Sequence, residues 1–129
     1  MKPRIYLAGP CSGLPEDNYP AFKAEAARLR AIGFIVENPA ENPRQDSWQA
    51  YMRMAVAQLV KCDAVALLPG WYHSRGALIE NGLAISLGIK ARPAGEYKIP
   101  AADPKCWMCN GSGIDDYSEQ CGVCCEVKL

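Results

Sequence analysis

Apolar positions along this chain fall into short runs, each closed by Gly or Pro, with stretches of helical spacing between them. "RIYLAG" (4–9) is a first apolar run and reads as a strand; "PCSGLPEDNYP" (10–20) is dense in turn formers and reads as a loop. In "AFKAEAARLRAIG" (21–33), Phe22, Ala26, Leu29 and Ile32 recur at helical spacing and Gly33 ends the element, with Asn18 as its cap and Pro20 in its first turn. "FIVENP" (34–39) is a second strand. Asp46 or Ser47 then caps "WQAYMRMAVAQLVKC" (48–62), a second helix. "DAVALLPG" (63–70) is continuously apolar, as a strand buried on both faces would be. "ALIENGLAISLG" (77–88) is a third helix closed by Gly88. The alternation predicts an α/β fold, a parallel Rossmann-like (flavodoxin-like) sheet with helices on both faces. Pro93 and Gly95 break up "IKARPAGEYKIP" (89–100), so residues 93–105 are expected as a weak edge strand or a linker after a domain of residues 1–92.

The chain has 129 residues, room for one such domain and a small appendage. Its 14 basic and 14 acidic residues cancel, so it exerts no general pull on nucleic acid or membrane surfaces. No apolar run approaches the roughly 18 residues of a membrane span, and the N-terminal run is too short for a signal-peptide core. A cytoplasmic protein is expected.

In open parallel sheets, ligands bind beyond the C-terminal ends of the strands. Three loops start there: "AGPCSG", "NPAENP" and "PGWYHSRG". In the third, Ser74, Arg75 and Gly76 stand at a helix start, where free amides and the helix dipole favour an anion. Arg75 is a phosphate contact or a solvated charge; His73, the lone histidine, is an acid, a phosphate contact or simply exposed. Glu80 lies four residues after Gly76, on the same helix face and roughly 5–6 Å deeper. That offset suits a sugar whose 5′-phosphate sits at the helix start. A solvated helix glutamate is the alternative.

The segments "IYLAGPCSG", "NYPAFKAEAARLRAIGFIVENPAE", "CDAVALLPGW" and "SRGALIENGLAISLG", in this order, resemble the nucleoside 2-deoxyribosyltransferase-like superfamily, in a branch common in bacteria and their phages. The resemblance covers roughly residues 4 to 90. It implies a homo-oligomer that takes a small-molecule nucleoside or nucleotide and acts on its N-glycosidic bond. By position, Glu80 matches the carboxylate that attacks C1′ of the deoxyribose, and Tyr6 a tyrosine that orients it. Gly9 matches a close backbone approach to the ligand, and Asp63 an acidic position at the start of the third strand. Ser74 and Gly76 match the loop that holds a 5′-phosphate. Trp71 is either a base-stacking residue or an aromatic at the core rim.

One departure bears on activity. Members carry an aspartate eight residues before that of the third strand, where it positions or protonates the base; here the residue is Ala55. The acid must come from elsewhere, with Asp46, Glu41 and Asp17 as loop candidates, or the domain binds without cleaving. The implied chemistry is that of retaining glycosidases: a carboxylate traps the sugar as an ester, and water or another base resolves it.

Five of the seven cysteines crowd the C-terminus. Cys106-x-x-Cys109 and Cys121-x-x-Cys124, separated by eleven residues, have the spacing of two thiolate knuckles for one tetrahedral zinc. A redox dithiol is the alternative. A four-cysteine site is closed, so this zinc-ribbon-like segment (106–125) is expected to hold structural zinc, with Cys125 spare and no cofactor for catalysis. Its mixed charge does not favour nucleic acid.

Two functions follow from the sequence: cleavage or transfer at the N-glycosidic bond of 2′-deoxynucleosides or their 5′-monophosphates through Glu80, or a non-catalytic nucleotide-binding module whose zinc tail contacts a partner.

Overall fold

The computed structural model describes residues 2–11 and 13–98. Four parallel strands, β1 (Arg4–Ala8), β2 (Ile35–Glu37), β3 (Ala64–Leu67) and β4 (Lys90–Pro93), form one sheet in the order β2-β1-β3-β4. Three helices, α1 (Tyr19–Ala31), α2 (Trp48–Leu59) and α3 (Arg75–Ser86), make the crossovers. The chain steps from β1 outward to β2, then returns past β1 to β3. The strand order therefore reverses between β1 and β3, where doubly wound sheets bind ligands.

Period-two alternation along the central strands sorts side chains onto two faces. Ile5, Leu7, Ala64 and Ala66 pack with Phe22, Ala26 and Leu29 of α1. Tyr6, Ala8, Val65 and Leu67 pack with Ala55 and Leu59 of α2 and with Ala77 and Ala84 of α3. The register thus puts Tyr6 on the α3 side of the sheet. A one-residue slip would send it to the α1 side.

Local signals explain most element ends. Ser47 accepts from the Ala50 amide at 3.0 Å and caps α2, as expected of one of the two candidates. Asn18 does not cap α1 with its side chain. Its backbone is left-handed (φ 60°), and its Nδ2 donates to the Pro10 carbonyl at 2.8 Å. The helix starts at Tyr19, earlier than its apolar spacing indicates.

β4 is an edge strand that places Pro93 opposite Leu67, where a missing N–H is tolerated. The packed unit continues past residue 92. Ala94 and Tyr97 are buried in the α1-side core, the Tyr97 ring meets Phe34 edge-on at 5.6 Å, and its hydroxyl donates to the Val65 carbonyl at 2.9 Å. A boundary at 92 separates these residues from the core they complete. No helix among the described residues is long and apolar enough to cross a membrane.

Candidate active site

At the reversal between β1 and β3, a cavity of about 390 Å³ opens beyond the strand ends. All three loops reach it: Gly9, Pro10, Cys11 and Asp17 from the first, Pro39, Ala40 and Asn42 from the second, and His73 and Ser74 from the third. α2 supplies Trp48, Tyr51, Met52 and Ala55, and α3 supplies Arg75, Gly76, Ala77 and Glu80.

Glu80 is the buried charge of this cavity. It is 6% exposed, and its Oε2 has no hydrogen-bond partner among the described residues. Burial pushes its pKa up to about 7, and hydrogen bonding from Tyr6 draws it partly back. Tyr6, 1% exposed, is in turn raised well above the usual phenol range, by burial first and then by the Glu80 charge. The same two causes push the half-buried Cys11 thiol up to about 11. A carboxylate poised near neutrality beside a hydroxyl donor is the usual setting for a catalytic group.

At the start of α3, Ser74 Oγ accepts from the Ala77 amide at 3.2 Å, so the serine caps the helix while its own O–H remains available to donate. The amides of Arg75 and Gly76 are first-turn groups, which a helix leaves without partners of its own. A Cβ on Gly76 would come 3.1 Å from Met52 Sδ and 3.9 Å from Glu80 Oε1, so the glycine keeps this corner of the cavity open. The Arg75 guanidinium lies 4.3 Å from the Trp48 ring centroid, a cation held over an aromatic face.

Gly9 has a packing role as well as a place in the cavity wall. A Cβ there would sit 2.7 Å from Leu68 Cβ, so the β1 exit and the β3 exit meet only because residue 9 has no side chain.

Two residues expected at the site are not brought to it. Asp63 is exposed at the N-terminal end of β3, opposite the cavity, where its Oδ2 accepts from the Arg4 amide at 2.8 Å and ties the starts of β1 and β3 together. Trp71 packs half-buried against the α2/α3-side core and contacts Tyr72 edge-on rather than lining the cavity. Of the three loop acids, only Asp17 reaches the cavity. Glu41 is paired with Arg30 at 2.8 Å, which holds its carboxyl below the usual range. Ala55, 6% exposed, fills the α2 wall with a methyl group.

Sequence reasoning missed Tyr19, Trp48 and Tyr51, which give the cavity an aromatic wall. Their signal was faint. Tyr51 and Trp48 read as part of an amphipathic helix, and only the fold shows that this part of α2 overhangs the strand ends. Asp17 and its neighbours Glu16 and Asn18 all have positive φ (52°, 53° and 60°), an unusual left-handed turn for non-glycine residues at the cavity rim.

No cluster of three or more His, Cys, Asp or Glu able to hold a metal occurs among the described residues. The proposed zinc ligands Cys106, Cys109, Cys121 and Cys124 lie outside the described residues.

Among solved structures, the chain is similar to a 2-desoxiribosyltransferase from Leishmania mexicana, at 19% identity and a TM-score of 0.57 over 100% of this chain and 84% of that one. At this identity the likeness speaks for the fold. No curated protein matches the chain. The cavity, its three loops and the strands beneath them fall within residues 3–92, which match the family described as Domain of unknown function (DUF4406), and the chain belongs to that family.

Proposed function

We propose that this domain cleaves or transfers the N-glycosidic bond of 2′-deoxynucleosides or their 5′-monophosphates, with Glu80 as nucleophile. The observation that carries this reading is the buried Glu80 carboxylate, with one unpartnered oxygen, in the wall of a nucleotide-sized cavity. Tyr6 orients the carboxylate and favours its ionised form. Ser74, the first amides of α3 and Arg75 suit a 5′-phosphate, and Gly76 leaves room beside it. Tyr19, Trp48 and Tyr51 offer faces for the base. The fold shared with a 2-desoxiribosyltransferase supports the same reading.

In this mechanism Glu80 attacks C1′ as the base departs, leaving a glycosyl ester that water or a second base resolves. Base release from the four common deoxynucleoside 5′-monophosphates and their nucleosides, by wild type and Glu80→Ala in parallel, tests it. Release that disappears in the variant supports the mechanism; equal release by both proteins refutes it.

Ala55 favours a second reading, a nucleotide-binding module without catalysis, with the zinc tail passing its state to a partner. A nucleotide that raises Tm without being cleaved would select it. In either case the four tail cysteines are proposed to hold one structural zinc. A homo-oligomer is proposed too. Leu78, Ile79 and Ile85 leave the outer side of α3 apolar and 45–67% exposed, which suits a subunit contact.

A further inference from the structure

Resting on the Glu80 reading, we infer that the substrates of this cavity are N-glycosides whose leaving base is already cationic, a pyridinium or an N-alkylated purine, so that the base departs without being protonated.

The argument begins with what faces Glu80. A neutral nucleobase leaves as an anion unless an acid protonates it, and that acid must be held against the base within hydrogen-bond reach. Among the described residues, the only other carboxylate lining the cavity is Asp17. It is exposed on the rim, as is His73, and neither side chain makes a hydrogen bond that would fix it in place. The α2 wall opposite presents Met52, Tyr51 and the Ala55 methyl, with no carboxylate. Tyr6 is bound up with Glu80 and is raised well above the usual phenol range, which makes it a poor proton donor to a base.

The lining also suits a planar cation. Tyr19, Trp48 and Tyr51 present aromatic surface, and the ring quadrupole attracts positive charge. Arg75 shows this attraction within the site, since its guanidinium sits over Trp48. The buried Oε2 of Glu80 has no hydrogen-bond partner among the described residues, so a cationic ligand would supply a countercharge. A cavity whose second carboxylate stands exposed at the rim, aromatic faces and a buried carboxylate oxygen without a partner among the described residues all serve one kind of leaving group.

The step balances without a general acid. A Glu80 carboxylate oxygen forms a bond to C1′ while the C1′–N bond breaks, and the electron pair of that bond neutralises the cationic ring. Water then attacks C1′ and the ester C1′–O bond breaks, regenerating the Glu80 carboxylate. One water proton stays on the new C1′ hydroxyl and the other goes to solvent.

Matched pairs test this with the full chain: 7-methyl-2′-deoxyguanosine 5′-monophosphate against 2′-deoxyguanosine 5′-monophosphate, and the 2′-deoxy form of nicotinamide mononucleotide against its dihydronicotinamide form. Base release is followed from pH 5.5 to 8.5, with the spontaneous rate subtracted and Glu80→Ala as control. The expected result is release from a cationic member at least 100-fold faster than from its neutral partner, abolished in Glu80→Ala. For the pyridinium member the rate should climb with pH and then level off; for the methylated guanine it should fall again as N1–H ionises and the base loses its net positive charge. Whichever pair responds tells an alkylated purine from a pyridinium. Comparable release from the neutral members overturns the inference and leaves the glycosidase reading intact. Release that survives in Glu80→Ala overturns both, whereas no release from either cationic member overturns the inference and leaves the glycosidase reading to the panel of common nucleotides.

Discussion

Tyr6 and Glu80 meet between β1 and α3, both all but excluded from solvent, and each shifts the other's ionisation. Hydrogen bonding from Tyr6 favours the charged carboxylate that a nucleophile must be, while burial opposes it. The rate of a cleavable substrate should therefore rise with pH through about 7 as Glu80 ionises. In Tyr6→Phe the hydrogen bond is lost, so the rising limb moves to higher pH and the plateau falls about tenfold, the worth of one hydrogen bond to a charged group. A pH–rate profile of both proteins checks this. An unmoved limb would mean that Tyr6 does not set the ionisation of Glu80.

Glu80 also makes stability depend on pH. Its folded pKa of about 7 lies above the ordinary 4.5, so the folded chain holds a proton that the unfolded chain has released between those values. The stabilisation from the protonated form is complete below about pH 4.5 and is lost as pH rises through 7. Above that, the folded chain carries a buried charge costing about 3 kcal/mol. Glu80→Gln removes the charge. It should match wild type within about 1 kcal/mol at pH 5 and exceed it by about 3 kcal/mol at pH 8.5 in urea unfolding. Equal stability at both pH values would show that the carboxylate is not desolvated.

Gly9 supplies a separate check on the cavity's architecture. A methyl at this position would lie 2.7 Å from Leu68 Cβ, an atom fixed to the backbone rather than a mobile side-chain tip. Gly9→Ala must push the β1 and β3 exits apart, at a cost of about 1–3 kcal/mol. Because the same residues line the cavity, ligand affinity should fall with stability. Unchanged chemical denaturation would contradict the close approach.

Much of the fold was legible in the sequence because its elements agree with their local signals. Gly33 and Gly88 end helices, Ser47 caps α2, and the unbroken run 64–68 is buried on both faces. The site was partly legible for the same reason. Residues on the strand-end loops converge as a parallel sheet requires, so Gly9, Ser74, Arg75 and Gly76 fall together with Tyr6 and Glu80. Asp63 was misplaced because it flanks the wrong end of its strand, and a strand's direction decides which end faces the ligand. Trp71 was left open between ligand and core rim because loop aromatics face one or the other according to a turn geometry, here set by Gly70 at φ 84°, that spacing does not specify; it takes the core-rim place. Tyr19, Trp48 and Tyr51 had only a faint local signal, since the overhang of one element above another is a tertiary property.

Tyr97 ties the residues after 92 to the core. Its ring packs on Phe34, and its hydroxyl bonds the Val65 carbonyl in the central sheet. Tyr97→Ala in the full chain should cost about 3–5 kcal/mol, the range for deleting a buried aromatic. Tyr97→Phe should cost about 1 kcal/mol, for the hydrogen bond alone. If both substitutions prove neutral, residues beyond 92 do not belong to the core.

The C-terminal cysteines lead to a prediction about metal. Cys106, Cys109, Cys121 and Cys124 have the spacing of paired knuckles, and a four-thiolate zinc site has no open position for chemistry. The purified 129-residue chain should carry one zinc per chain, released by chelator or by a thiol-modifying reagent. Cys106→Ser with Cys121→Ser should abolish zinc retention, because each knuckle loses a ligand and the remaining pair cannot close a tetrahedron. Cys125→Ser should retain the metal. If zinc supplies the folding energy of this segment, its removal should make residues 99–129 protease-sensitive while residues 2–98 keep their cooperative unfolding. A dithiol pair would behave differently. Purified under reducing conditions it would carry far less than one zinc per chain, and mild oxidation would form a disulfide within each Cys-x-x-Cys. Metal content, measured with and without the paired substitution, therefore decides between a structural zinc and a redox centre.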